Sequence, residues 1–206
     1  MFKKILATAV LALSASVANA DVLMNGDFEI GAFSPSWTAT GVVSVTGPAG
    51  GGFYFGGGSV AQNGNYLVAF NGGNQDPDGV ISQTFDTSAG TEYLVKFDFG
   101  ASAGGNTQFI TANIFGADGT SLLASKTVPG VNGPNLQTFD ISFVSDGNAS
   151  TLQFVDFTFN NSFNQDGLLD NVSVSAVPEP ASIALMGLGL LGFAASHRKS
   201  AKSKNA

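Results

Sequence analysis

Cysteine is absent from this chain of 206 residues, which excludes a disulfide framework, a thiol nucleophile and any thiolate metal site. Histidine occurs once, as His197 close to the C-terminus, so a Ser-His-Asp triad or a histidine metal site in the body of the chain is excluded as well. Positive charge is scarce. Between residues 21 and 177 only Lys96 and Lys126 stand against fourteen acidic residues, the chain's fifteen less Glu179, so this stretch carries about −12 although the whole chain has a formal net charge of −7. Phosphate backbones are bound by Lys and Arg that displace counterions, which makes nucleic acid a poor partner. The same stretch shows little helical spacing of apolar residues.

The whole chain holds 27 Gly and 18 Phe, and between residues 21 and 177 short runs of Val, Ile, Thr, Tyr and Phe recur between Gly, Asn, Asp and Pro clusters. That pattern predicts an all-β domain with an aromatic core. In Glu92–Phe99, Tyr93, Val95, Phe97 and Phe99 alternate with Leu94, Lys96 and Asp98, a period of two that predicts one packed and one wet face. Phe109–Phe115 reads as a neighbouring strand, with Asp118-Gly119 as a reversing turn. Val42–Thr46, Asn65–Phe70, Gly79–Phe85, Leu136–Val144, Thr151–Phe159 and Leu168–Ser175 read as further strands. Gly47–Gly64 and Asn71–Gly79 read as loops. Eight or so short strands over some 157 residues fit one two-sheet sandwich or jelly roll with a substantial core.

Both ends read as targeting segments. Lys3 and Lys4 precede an apolar run from Ile5 to Leu13, and Ala18-Asn19-Ala20 supplies a small-x-small site. A signal peptide over 1–20 is expected, cleaved by signal peptidase between Ala20 and Asp21. Ala181–Ala195 is apolar and precedes a basic tail over 197–204. As a helix it would be about 22 Å long against a hydrocarbon core of roughly 30 Å, a marginal transmembrane helix with its tail on the cytoplasmic side. The expected organisation is a signal peptide at 1–20, a β-sandwich at 21–176 and a terminal sorting segment at 177–206.

Val177-Pro178-Glu179-Pro180, then the apolar run, then the basic cluster, resembles the PEP-CTERM sorting domains. The resemblance implies processing by an exosortase near the motif, transient anchoring in the inner membrane of a Gram-negative bacterium, and delivery to the cell surface or extracellular matrix. The domain opens with Leu23-Met24-Asn25-Gly26-Asp27-Phe28-Glu29 and closes with Leu168-Leu169-Asp170-Asn171-Val172. In this it is similar to galactose-binding-like jelly rolls, including carbohydrate-binding modules, a superfamily that hosts glycan, lipid and protein binding alike.

Period two places Asn25, Asp27 and Glu29 on one side of an extended chain and Phe28 on the other. With Asp170 they form a candidate oxygen set for a structural calcium, as the resemblance also implies, if the first and last strands meet. A solvated strand edge is the plainer account. Trp37, the single tryptophan, is expected in or near the core. Phe53, Tyr54 and Phe55, flanked by Gly, are candidates for a ligand platform or a protein interface. The amides and carboxylates of Asn74, Gln75, Asp76 and Asp78 suit sugar hydroxyls, although a polar turn explains them equally well.

Catalysis finds little support. The only glutamates in 21–177 are Glu29 and Glu92, both with structural explanations, and a glycosidase needs two carboxylates across one cleft. Three functions follow in order of preference. The first is a non-enzymatic exported protein that binds or organises exopolysaccharide at the surface or in a biofilm. The second is a structural or adhesive surface protein without a sugar site, and the last a hydrolase of exopolysaccharide.

Overall fold

The computed structural model describes residues 21–47, 54–55, 58–59, 64–72, 77–101, 108–131, 136–158 and 166–178. Twelve strands carry these residues: β1 (Thr38–Thr40), β2 (Val43–Thr46), β3 (Tyr54–Phe55), β4 (Gly58–Ser59), β5 (Leu67–Phe70), β6 (Val80–Asp86), β7 (Glu92–Ala101), β8 (Gln108–Phe115), β9 (Leu122–Pro129), β10 (Gln137–Val144), β11 (Ala149–Thr158) and β12 (Gly167–Ala176). No helix of the described residues is long and apolar enough to cross a membrane. The expected helix at 181–195, the signal peptide and Glu179-Pro180 lie outside the described residues.

Two five-stranded antiparallel sheets face each other. One, sheet A, has the order β1-β6-β11-β8-β9 and the other, sheet B, the order β10-β7-β12-β5-β2. Every expected strand forms, within a few residues at either end. The alternation works because side chains of one parity must reach the partner sheet. Ile81 and Phe85 of β6, Ile110, Ala112 and Ile114 of β8, and Leu152 and Phe154 of β11 meet Tyr93, Val95, Phe97 and Phe99 of β7 with Leu169, Val172 and Val174 of β12. Phe97 packs edge-on to Phe154 at 5.0 Å and Tyr93 stacks on Phe143 at 5.4 Å, contacts that add to the burial of each ring.

Four details depart from the sequence reading. Thr38–Thr40 and Leu122–Pro129 form strands at the two edges of sheet A. Both are mostly exposed and carry no clear apolar alternation. Tyr54–Phe55 pairs with Gly58–Ser59 as a two-stranded ribbon inside the expected loop. The second face of β7 is not uniformly wet, because Asp98 is buried. It lies between β10 and β12, and its carboxylate accepts from Thr138 Oγ1 at 2.6 Å and Asn171 Nδ2 at 3.1 Å.

The fourth concerns the opening motif, which is a turn and not a strand. Asn25 and Phe28 sit at φ 53° and 56°, the left-handed region that L-residues rarely adopt. Asn25, Asp27 and Glu29 are therefore not aligned on one side of an extended chain. The segment closes against both sheets. Val22 N–H donates to Val174 O at 3.0 Å and Val172 N–H to Gly26 O at 2.8 Å, while the Gln83 amide exchanges two bonds with the Met24 backbone, at 2.7 and 2.9 Å. Gly26 is required here, since a Cβ would collide with Val172 O. The Phe28 ring is fully buried 5.5 Å from Trp37, so core burial holds the left-handed turn in place.

Candidate functional site

The outward parity of sheet A builds a surface that the core does not use. Register aligns Thr38, Ser82, Gln153, Asn113 and Ser125 into one row across all five strands. The next row is Thr40, Val80, Val155, Thr111 and Thr127. Beyond it Phe157, Phe109 and Pro129 line up on β11, β8 and β9. Four gaps at ordinary strand spacing make each five-membered row about 19 Å long.

These three lines of residues carry no charged side chain, Asp86 at the far end of β6 being the charged group on this parity. The first row has hydroxyl and carboxamide groups only, and Asn113 accepts from Ser125 Oγ at 2.7 Å. Thr111 and Thr127 share a bond of 2.8 Å, as do Thr84 and Thr151 further along. Phe109 and Phe157 stack with centroids 5.3 Å apart and planes 18° apart. Every outward residue of β8, and Thr151, Gln153, Val155 and Phe157 of β11, is half-buried. Carboxamides offer paired donors and acceptors, and aromatic rings offer flat apolar contact. Together they suit a polyhydroxylated, uncharged ligand lying across the strands.

The sequence reading looked for the site in loops and did not single out this face. Its signal was present, because Thr, Asn and Gln share one parity with Phe109, Phe115 and Phe157 in β8 and β11. Only the pairing of those strands turns separate residues into a row.

Of the residues expected to bind a ligand, Phe53, Asn74, Gln75 and Asp76 lie outside the described residues, and Tyr54 and Phe55 are placed as strand backbone only. Asp78 is exposed and its Oδ1 accepts from Val42 N–H at 2.7 Å, bracing the turn before β2. Trp37 is in the core and donates from Nε1 to Asn25 O at 3.0 Å.

The candidate calcium ligands are spread over several duties. Asn25 Oδ1 accepts from Ile30 N–H at 3.1 Å and Asp27 Oδ1 from Glu29 N–H at 3.4 Å. Glu29 Oε1 accepts from Asn65 and Tyr66 N–H at 2.7 and 2.8 Å, tying the opening turn to the start of β5. Asp170 is fully buried, opposite Asp98 on β7, and its Oδ1 accepts from Asn171 N–H at 2.7 Å. Among the described residues no three carboxylates converge as a metal set. The four as first grouped do not form one shell. The junction itself exists, as a polar cavity of about 320 Å³ lined by Asp21, Asn25 and Asp27 on one side and Asn171 and Ser173 on the other.

Comparison with known proteins agrees with both halves of the sequence reading. Residues 176–199 match the PEP-CTERM protein-sorting motif, which places Val177-Pro178-Glu179-Pro180 inside it. Among curated proteins none matches. The fold is similar to TmCBM61, solved in complex with β-1,4-galactotriose, at 19% identity and TM-score 0.57 over 77% of this chain and 99% of that one. It is also similar to the CBM22-1 xylan-binding domain of Paenibacillus barcinonensis Xyn10C, at 15% identity and TM-score 0.51 over 79% of this chain and 98% of that one. The chain thus joins a carbohydrate-binding-module-like jelly roll to a PEP-CTERM motif, the signal for exosortase sorting through a membrane-anchored stage.

Proposed function

We propose that this protein is an exported, non-enzymatic polysaccharide-binding protein, and that it binds a neutral glycan strand across the outer face of sheet A. The observation that carries the reading is the uncharged row from Thr38 to Ser125 running beside the stacked Phe109–Phe157 pair. A row of about 19 Å has room for several sugar rings in succession, with hydroxyls on Gln153 and Asn113 and an apolar ring face on Phe157. The sorting motif supports a ligand outside the cell, and exopolysaccharide at the surface or in a biofilm of the producing cell is the class we assign. Signal peptidase removes residues 1–20 and exosortase acts near Pro178-Glu179-Pro180. A structural calcium where the opening turn meets β12 near Asp170 belongs to the same proposal, supported by the hydrogen bonds that join those segments.

The test is calorimetric titration of the full chain in detergent with exopolysaccharide fragments and neutral oligosaccharides, with calcium present. Q153A and F157A should each weaken binding about tenfold, the loss of roughly 1.4 kcal/mol that one good polar or stacking contact supplies. Binding that both variants leave intact would place the ligand elsewhere. No binding of any saccharide would leave a structural or adhesive surface protein as the better account.

A further inference from the structure

At one end of the sandwich two polar side chains point inward, where their neighbours are apolar. Gln108 begins the inward parity of β8, and Asp156 lies on the inward parity of β11, opposite Ile110. They are 0% and 2% exposed. Gln108 Nε2 donates to Asp156 Oδ1 in a short contact. Gln108 Oε1 and Asp156 Oδ2 then remain buried with no hydrogen-bond partner in the protein.

The surroundings add negative charge. Asp156 N–H donates to Gly79 O at 2.9 Å, which brings Asp78 alongside, and Gly167, next to Asp166, lies against the Gln108 amide. Neither lysine between residues 21 and 177 acts on Asp156. Lys126 donates to Asp140 O at 2.6 Å, and Lys96 is paired in register with Asp140 and Ser173 on sheet B. A buried carboxylate without a counter-charge costs several kcal/mol, so an occupant must bring positive charge. A water would satisfy hydrogen bonds but not the charge.

We propose that Asp156 Oδ2 and Gln108 Oε1 form the inner half of a divalent cation site, with Asp78 and Asp166 as outer acidic groups acting through water. The donors are all hard oxygens, which selects calcium or magnesium over zinc. Calcium fits better, because it accepts irregular shells and carbonyl ligands while magnesium demands an octahedron. This site lies apart from the opening turn and Asp170.

A competing occupant is a proton. In the ion-free protein, burial first, and then the charges of Asp166 and Asp78, push the Asp156 carboxyl up to about 7. A raised folded-state value stabilises below the unfolded value of 3.8, and that contribution is lost as pH rises through about 7.

Thermal unfolding of the full chain in detergent, with calcium chloride or chelator at pH 5.5 and 8.0, separates the two. At pH 8.0, calcium at a hundredfold excess over its Kd should raise Tm by about 5–10 °C. In a D170N background, which removes the junction site, D156N should abolish that gain while raising the calcium-free Tm, and D78N/D166N should reduce it. A D170N variant should retain the gain, so failure here is distinguishable from failure of the junction calcium. A calcium gain that D156N leaves intact in the D170N background would overturn the proposal. So would a wild type whose Tm falls between pH 5.5 and 8.0 equally with and without calcium, since that is the behaviour of a proton alone.

Discussion

Phe28 offers a sharp test of how the opening turn is held. Its backbone lies at φ 56° while its ring is fully buried 5.5 Å from Trp37, so favourable packing opposes an unfavourable conformation at one residue. Truncating a buried aromatic to Ala costs about 3–5 kcal/mol. For a chain of this size, at about 2–4 °C per kcal/mol, F28A should lower Tm by about 10–15 °C. F28G removes the same ring but also relieves the left-handed penalty of about 1–2 kcal/mol. Glycine's greater freedom in the unfolded chain takes back about 0.4–1 kcal/mol. The net expectation is that F28G is more stable than F28A by about 0.5–1 kcal/mol, the reverse of the usual order. Ile81, equally buried within β6, is the control, since I81G should be the less stable of its pair by about 0.5–1 kcal/mol. Urea unfolding of the full chain followed by circular dichroism measures all four. If F28G is less stable than F28A, the native turn is not left-handed at residue 28 and the account of the opening motif is wrong.

Two further outcomes are expected. The Asp118 carboxylate accepts from Ser121 Oγ at 2.5 Å and from Ser121 and Thr120 N–H at 2.7 and 2.8 Å. The Ser121 bonds first, then those to Thr120, hold it well below the usual carboxylate range. A depressed value stabilises above the unfolded 3.8 and the effect is lost only as pH falls through the folded value. NMR titration should therefore find Asp118 still ionised at pH 3, and a midpoint near that of a free aspartate would contradict the turn geometry. For the junction calcium, chelator should lower the Tm of D156N by about 5 °C or more and leave a D156N/D170N double variant unchanged. An unchanged D156N would remove calcium from the opening turn.

The jelly roll was legible because its core strands obey one rule. Over Tyr93–Phe99 of β7, Ile110–Ile114 of β8 and Leu152–Phe154 of β11 apolar residues recur at every second position, and burial against a facing sheet enforces that period. The edge strands β1 and β9 escaped detection because an exposed edge places no such demand on its sequence. The opening motif misled for a related reason. Asn25, Asp27 and Glu29 alternate with smaller or apolar neighbours as a strand would, but the burial of Phe28 and the collision that any larger residue at Gly26 would meet on β12 select a turn.

Composition and local motifs by themselves determined the absence of thiol and histidine chemistry, the acidic interior, the all-β class and the sorting segment at the C-terminus, since each depends on residues near one another in the chain. The neutral row across sheet A and the inward pair of Gln108 and Asp156 were decided only by the tertiary structure. Their members are separated by up to 115 residues in one case, from Thr38 to Gln153, and by 48 in the other. Strand register, which follows from burying both sheets' apolar faces at once, is what brings them side by side.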